Sequence, residues 1–362
     1  MPNRIEKHAV RLDFAGDGPA HANLSAAAFT GDWLWVASDE ACGVDRLARL
    51  PPVGTESLHF GEPLHFPLVD LLELPGEADE EADLEGMAVD GGYLWVVGSH
   101  GLKRKNAKPD RDNAGNAKRL AKVRLDANRR LLARLPLDED DAGRPTLSKR
   151  TSDGRRAAPL QGDANDNELT RLLADDPHFG PYLSIPGKDN GFDIEGLAVF
   201  KDRLLLGLRG PVLRGWAGVL EIAVEAGDRE LRLAALDGSG AKLRKHFLDL
   251  DGLGVRDLHF DGDDLYVLAG PTMVLDGEIR LYRWREARAR LTENGDPAAF
   301  WSALEPHCAL PHGDGCDRAE AFCVLPDELA GTGPAWLALY DAPAPERHAE
   351  EFSVFGDLLR RG

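Results

Sequence analysis

The chain has 362 residues, a formal net charge of −19, 43% hydrophobic residues and 29% charged residues. That balance suits a globular protein with a substantial core, and its excess negative charge disfavours nucleic acid as a general partner. The start, MPNRIEKHAVRLDF, has no apolar run of signal-peptide length, and no stretch approaches the roughly 18 apolar residues of a membrane span. A cytoplasmic protein, bacterial in style and without a membrane partner, is the expectation.

In chain order, the first predicted element is an orphan strand, HAVRLDF at 8–14. A unit then begins that recurs along the chain: an apolar strand, a short turn, and a second strand rich in Leu, Trp and Val. It reads LSAAAFTGDWLWVAS from Leu24, LEGMAVDGGYLWVVG from Leu84, IEGLAVFKDRLLLGL from Ile194 and VRDLHFDGDDLYVLA from Val255. A looser copy begins at Ala319. The turns GD, DGG, KD and DGD are hairpin chemistry, because Gly and Asp tolerate positive φ. Third and fourth strands are read in RLAKVRLD and RRLLARLPL after the second copy, in AGVLEIAVEAGDRELRLAAL after the third, and in GEIRLYRWR after the fourth.

The copies start 60, 110, 61 and 64 residues apart; three of these gaps are close to the roughly 40–60 residues that four strands and their turns require, and the second is one such unit plus an insertion of about 50 residues. The spacing predicts an all-β fold: one β-propeller spanning 1–362, of five blades, or six if a degenerate one is hidden. The wide gap holds a polar insertion at 138–190, between blades two and three, with one short helix in NELTRLLADD. The orphan strand closes the ring by joining the last blade, which leaves no open edge.

Aligning the copies produces one unusual column: Ser25, Glu85, Glu195, Arg256 and Glu320. In a propeller the innermost strand lines the central channel, so these side chains should converge, with Asp83 and Asp193 two residues earlier on the same side. Carboxylates brought together need compensation. Three arrangements supply it: calcium or another divalent cation held by Ser25, Glu85, Glu195 and Glu320; Arg256 pairing with two glutamates while another carries a proton; or each Glu bonding amides of a neighbouring strand. The loops after the second strands bring cations to the same face. One reads GSHGLKRKNAKPDRDNAGNAK, with His100, Lys103, Arg104, Lys105 and Lys108; another reads GLRGPVLRGW, with Arg209 and Arg214. Acids and cations on one face suit a small anionic ligand.

Other chemistry is not visible. GxGxxG, Walker, HExxH and GxSxG motifs are missing. DANDNE at 163–168 lacks EF-hand spacing. Cys308, Cys316 and Cys323 lie near His307 and His312 without a CxxC pair, which favours a turn-rich loop over a zinc site.

The strings DIEGLA and GLRGPVLRGW resemble an uncharacterised bacterial family of unknown function, and the resemblance extends to DLEGMAV. The strand-leading Glu-Gly is similar, more weakly, to phytase-like esterases and calcium-activated nucleotidases, which are β-propellers. That similarity implies calcium on the channel axis with Ser25, Glu85, Glu195 and Glu320 as ligands; Arg256 departs from the pattern. The expected function is hydrolysis of a phosphate ester or anhydride, with Glu85 and Glu195 at the metal and Arg209, Arg214 and His100 holding the anion. The alternatives are a non-catalytic propeller that binds a ligand or protein, and a lactonase or esterase.

Overall fold

The structure, a computed structural model, describes residues 4–16, 21–331 and 333–360. Strand pairing gives sheets of nine, six, five, four and two strands among the described residues, and five units, each led by an antiparallel hairpin, can be followed through the four larger ones. Their inner strands are Leu24–Thr30, Leu84–Asp90, Asp193–Phe200, Gly254–Asp261 and Arg318–Val324. Each inner strand packs against the next, and the fifth returns to the first. The arrangement is all-β and propeller-like.

The core lies between the units. Because side chains alternate across a strand, one hairpin serves two interfaces. Ala26, Ala28, Trp35 and Ala37 pack toward the second unit with Leu84, Met87 and Val96. Ala27, Leu34 and Val36 pack toward the fifth with Ala321, Leu337 and Leu339. Three further clusters fill the remaining interfaces.

The short turns follow the sequence reading. Two residues join Thr30 to Trp33, Asp90 to Tyr93, Phe200 to Arg203 and Asp261 to Asp264. Gly91 and Gly92 both have positive φ, 59° and 77°, as a type I′ turn demands.

Two details of strand assignment differ from expectation. Val123–Arg124, within RLAKVRLD, leaves the unit to pair with Lys103–Arg104 in a separate ribbon. The third and fourth strands of the second unit are Leu132–Glu139 and Pro145–Leu147. The segment 138–190 therefore contributes sheet as well as loop, and Ala158–Pro159 also pairs with Leu132–Glu139. Its helix, Glu168–Ala174, is capped by Asn167, whose side chain accepts from Thr170 N. DANDNE is thus a turn and helix cap: Asp163 accepts from Asn165 N and Asp166 N.

The N-terminal strand Arg4–Asp13 pairs antiparallel with Ser353–Arg360 and parallel with Leu58–Pro67. It lies between the first unit and the fifth and joins them into one continuous sheet. No helix among the described residues is long and apolar enough to cross a membrane.

The inner strands approach closely at one level. A Cβ on Gly86 would lie 2.9 Å from Leu197 N and 2.8 Å from Val97 Cγ1; one on Gly196 would lie 3.2 Å from Asp257 Cα. In the fourth unit Asp257 takes the glycine's place and accepts from Phe322 N on the next inner strand (2.9 Å) and from Leu258 N. Asp257→Ala leaves a buried N–H without its acceptor and is expected to cost about 1–3 kcal/mol. Gly86→Val overpacks the adjoining interface and is expected to cost a similar 1–3 kcal/mol. Urea unfolding of both variants checks these values.

Candidate functional site

In all five inner strands the pairing register slips at an equivalent residue, between Leu24 and Ala26, Leu84 and Gly86, Ile194 and Gly196, Val255 and Asp257, and Ala319 and Ala321, and the third inner strand slips again between Asp193 and Ile194. The residues skipped are Ser25, Glu85, Glu195, Arg256 and Glu320. Each is the extra residue of a β-bulge, a distortion that re-aims a side chain out of the ladder. This gives the repeated motif its meaning: the acid is turned out of the sheet, and the glycine after it permits close packing of neighbouring strands.

All five are buried. Arg256 lies between two acids, with Nη1 3.0 Å from Glu195 Oε2 and also paired with Glu320 Oε1. Its Nη2 donates to the Pro271 carbonyl (3.1 Å). Arg209 takes the other oxygen of Glu195 (Nη1 to Oε1, 2.5 Å) and also pairs with Asp193. Arg129 pairs with Asp83 (2.5 Å). Ser25 Oγ lies 2.6 Å from the Leu84 carbonyl, to which it donates, stapling the first inner strand to the second.

Glu85 differs from its neighbours. It is buried, yet among the described residues it makes neither an ion pair nor a hydrogen bond. Burial raises its pKa well above the ordinary range, and Asp83, Glu195, Glu320 and Asp39 raise it further. One carboxylate oxygen each from Asp39, Asp83 and Glu85 lie within 4.8 Å of one another. Burial, then the charges of Asp83, Glu320 and Asp341, push Asp39 up to about 8. Burial also raises Glu195, to about 7, even against Arg209 and Arg256. The hub is therefore divided: Asp83, Asp193, Glu195 and Glu320 are paired with guanidinium groups, whereas Glu85 and Asp39 have no such partner among the described residues.

Asp39 and Asp341 were missed in the sequence. Each stands one residue beyond the partner of the residue before the bulge, after Ser38 opposite Leu24 and after Tyr340 opposite Ala319, the place that Arg209 holds after Leu208 opposite Ile194. Aligning those strand ends, as well as the inner strands, would have exposed this second ring of charges. Arg129, in the short 3-10 turn Ala127–Arg130, carries no comparable signal.

The remaining expected residues lie elsewhere. His100 is buried, its Nδ1 2.8 Å from the Gly98 carbonyl and its Nε2 2.8 Å from Asn167 Nδ2. Burial drops its pKa to about 4, so the neutral ring donates from Nδ1 and accepts at Nε2, tying the hub to the inserted helix. Arg214 is exposed and has no ion pair among the described residues. The lysine-rich segment forms a ribbon and the helix Asn113–Leu120; Lys103 pairs with Glu81 and Arg104 with Asp189, each at 2.5 Å. Lys188 is exposed beside the hub, attracted by Glu320, Glu85 and Asp83. A small cavity of about 30 Å³ opens there, its lining including Lys188, Arg209, Arg256, Glu320 and Asp341. The four cysteines are free thiols, and none joins a metal-type cluster among the described residues.

Antiparallel units around a charged hub define a propeller-like all-β protein. The chain belongs to the family described as protein of unknown function DUF3616, whose model matches residues 23–357. No curated protein sequence shows significant similarity to it. Among solved structures it is similar to a putative oxidoreductase (glucose dehydrogenase) from Thermus thermophilus, with 14% identity, 99% of each chain covered and a TM-score of 0.37. It is also similar to an exo-1,5-α-L-arabinanase from a bovine ruminal metagenomic library (9% identity, 95% of each chain, TM-score 0.37). A third likeness is a β-fructofuranosidase from Bombyx mori, at 12% identity and TM-score 0.35; it covers 93% of this chain, which spans 59% of the silkworm chain. At these TM-scores the likenesses carry no chemistry across.

Arg256→Met removes the shared partner of Glu195 and Glu320 and leaves buried charge unpaired, expected to cost about 3–5 kcal/mol at neutral pH. The loss should shrink at pH 5, where Glu195, raised to about 7, carries a proton. Chemical denaturation at pH 5 and pH 8 measures the difference.

Proposed function

We propose that the chain is a five-bladed propeller that binds a divalent cation at its hub and hydrolyses a phosphate ester or anhydride there. The observation that carries the reading is Glu85, a buried carboxylate without a partner, converging with Asp39 and Asp83. Such a set of oxygen donors suits a hard cation such as calcium. The proposed ligand set differs from Ser25, Glu85, Glu195 and Glu320: Glu195 is held by Arg209 and Arg256, Glu320 by Arg256 and Ser25 by a backbone carbonyl, whereas Glu85 and Asp39 have no guanidinium partner among the described residues, and Asp83, bonded to Arg129, joins them in one cluster of oxygens.

A cation held there would polarise a phosphoryl oxygen and acidify a bound water. The chain's own residues do the rest. Arg209 and Arg256 hold Glu195 and Glu320 in place and lower the charge around the site. Lys188, exposed at the mouth, is placed to attract the anionic substrate and hold it by a point charge. His100, with both ring nitrogens engaged, positions the loop and does not contact substrate.

A non-catalytic propeller is the second reading. It is favoured by the engagement of Arg209 and Arg256 with internal acids, which leaves few free cations for transition-state charge.

The acid cluster sets a pH signature. Asp39, Glu85 and Glu195 have raised pKa values in the folded state. Their contribution to stability is complete below their unfolded values, about 4, and is lost as pH rises through about 7 to 8. Cation-free protein should therefore lose stability between pH 5 and pH 8. Calcium should raise the melting temperature at pH 8, by the equivalent of about 2.7 kcal/mol at a hundredfold excess over Kd, and should do little at pH 5. Glu85→Gln should raise cation-free stability at pH 8 and remove the calcium response; a response unchanged by Glu85→Gln would place the cation elsewhere. A screen of phosphomonoesters, diesters and nucleotides tests the chemistry. Turnover that stops on chelation supports the hydrolase, whereas cation binding without any turnover selects the binding propeller.

A further inference from the structure

A cavity of about 740 Å³ lies away from the hub, where the segment after the helix Leu68–Leu71 meets the insertion. That is the size of a site for a small organic molecule. Its floor is apolar, including Leu72, Leu74, Leu131, Pro159 and Leu160. Its rim carries Lys149, Arg150 and Arg156, all exposed and all without an ion pair or side-chain hydrogen bond among the described residues.

The two arginines are held in an unfavourable arrangement. Arg150 and Arg156 are antiparallel bridge partners in a tight hairpin. Thr151 N donates to the Arg155 carbonyl (3.0 Å), and Ala157 N to the Lys149 carbonyl (3.1 Å). Those bonds flank the pair, which makes it a non-hydrogen-bonded pair, the register that brings facing side chains closest. Like charges directly opposite one another destabilise a hairpin. The groove's acids do little to relieve this. Glu73 lies 3.6 Å from Arg229 and Asp163 lies 3.0 Å from Arg171, leaving Glu230 against three cations. Arg130, also in the lining, is paired with Asp166 (2.9 Å).

We propose that this groove binds a small organic anion, its phosphate or carboxylate head between Arg150 and Arg156 and its apolar body over Leu72, Leu74 and Pro159. A planar guanidinium on each side suits either head group. The anion supplies the negative charge that the facing arginines lack. Surface lysines and arginines usually just face water; here they converge from opposite strands onto one concave surface of mixed polarity, with Leu74 and Pro159 among its apolar members. The proposal does not depend on the hub chemistry.

Calorimetric titration with octyl phosphate, below its micelle concentration, tests it, alongside octanoate, inorganic phosphate, octyltrimethylammonium and octaglutamate. The expected result is one-to-one binding of octyl phosphate, at least tenfold tighter than inorganic phosphate and with no binding of the cationic amphiphile. Octanoate binding as well as octyl phosphate identifies a carboxylate-tolerant site; weaker octanoate binding identifies a phosphate-preferring one. Both support the proposal. R150S/R156S should weaken octyl phosphate at least tenfold while melting no lower than the parent, since it removes a repulsive pair. Unchanged affinity in that variant overturns the proposal. So does inorganic phosphate binding as tightly as octyl phosphate, which would mean surface cations only. Tight binding of octaglutamate without binding of octyl phosphate also overturns it, in favour of an acidic protein partner.

Discussion

The hub of this protein depends on the pairing of buried guanidinium groups with carboxylates. Five bulged strands turn a serine, three glutamates and an arginine inward, and the flanking aspartates add to the charge. Without Arg129, Arg209 and Arg256, the acids could stay buried only by taking protons, because isolated charge in such a place costs several kcal/mol. Arg256 matters most in this respect, since a single guanidinium serves carboxylates from two different units, Glu195 and Glu320. Their neutralisation is incomplete, and Glu85 with Asp39 marks where it ends.

Close approach of the inner strands is the second constraint. Gly86 and Gly196 leave room where a Cβ would meet the next strand's backbone, and Asp257 replaces room with a hydrogen bond. Geometry at this level fixes where each bulged residue ends up. The charge lattice and the backbone packing are therefore one device: moving a strand by a few tenths of an ångström would disturb both.

Much of this was legible in the sequence. The strand–turn–strand unit, its starting residues and the column of Ser25, Glu85, Glu195, Arg256 and Glu320 follow from period-two patterning and turn chemistry, which are local. The possibility that Arg256 joins two glutamates while another acid takes a proton was also readable, because charge converging on a hub requires a partner. What escaped was long-range. Asp39 and Asp341 acquire meaning only when strand ends from different units are superposed. His100 reads as a free cation until the fold brings Asn167, 67 residues away, to its ring. Val123–Arg124 carries a strand pattern, yet that pattern cannot say which strand it will pair with.

The placement of the N-terminal strand bears on how the molecule comes into being. Arg4–Asp13 rests on Leu58–Pro67 on one side and on Ser353–Arg360 on the other. During synthesis Arg4–Asp13 emerges well before Ser353–Arg360, one of its two neighbours. Until the ribosome has delivered that far segment, an exposed ladder edge waits on the nascent chain, inviting a similar edge from another copy. Such a clasp favours late, all-at-once locking of the disc and makes exchange of this strand between molecules the natural misassembly to guard against.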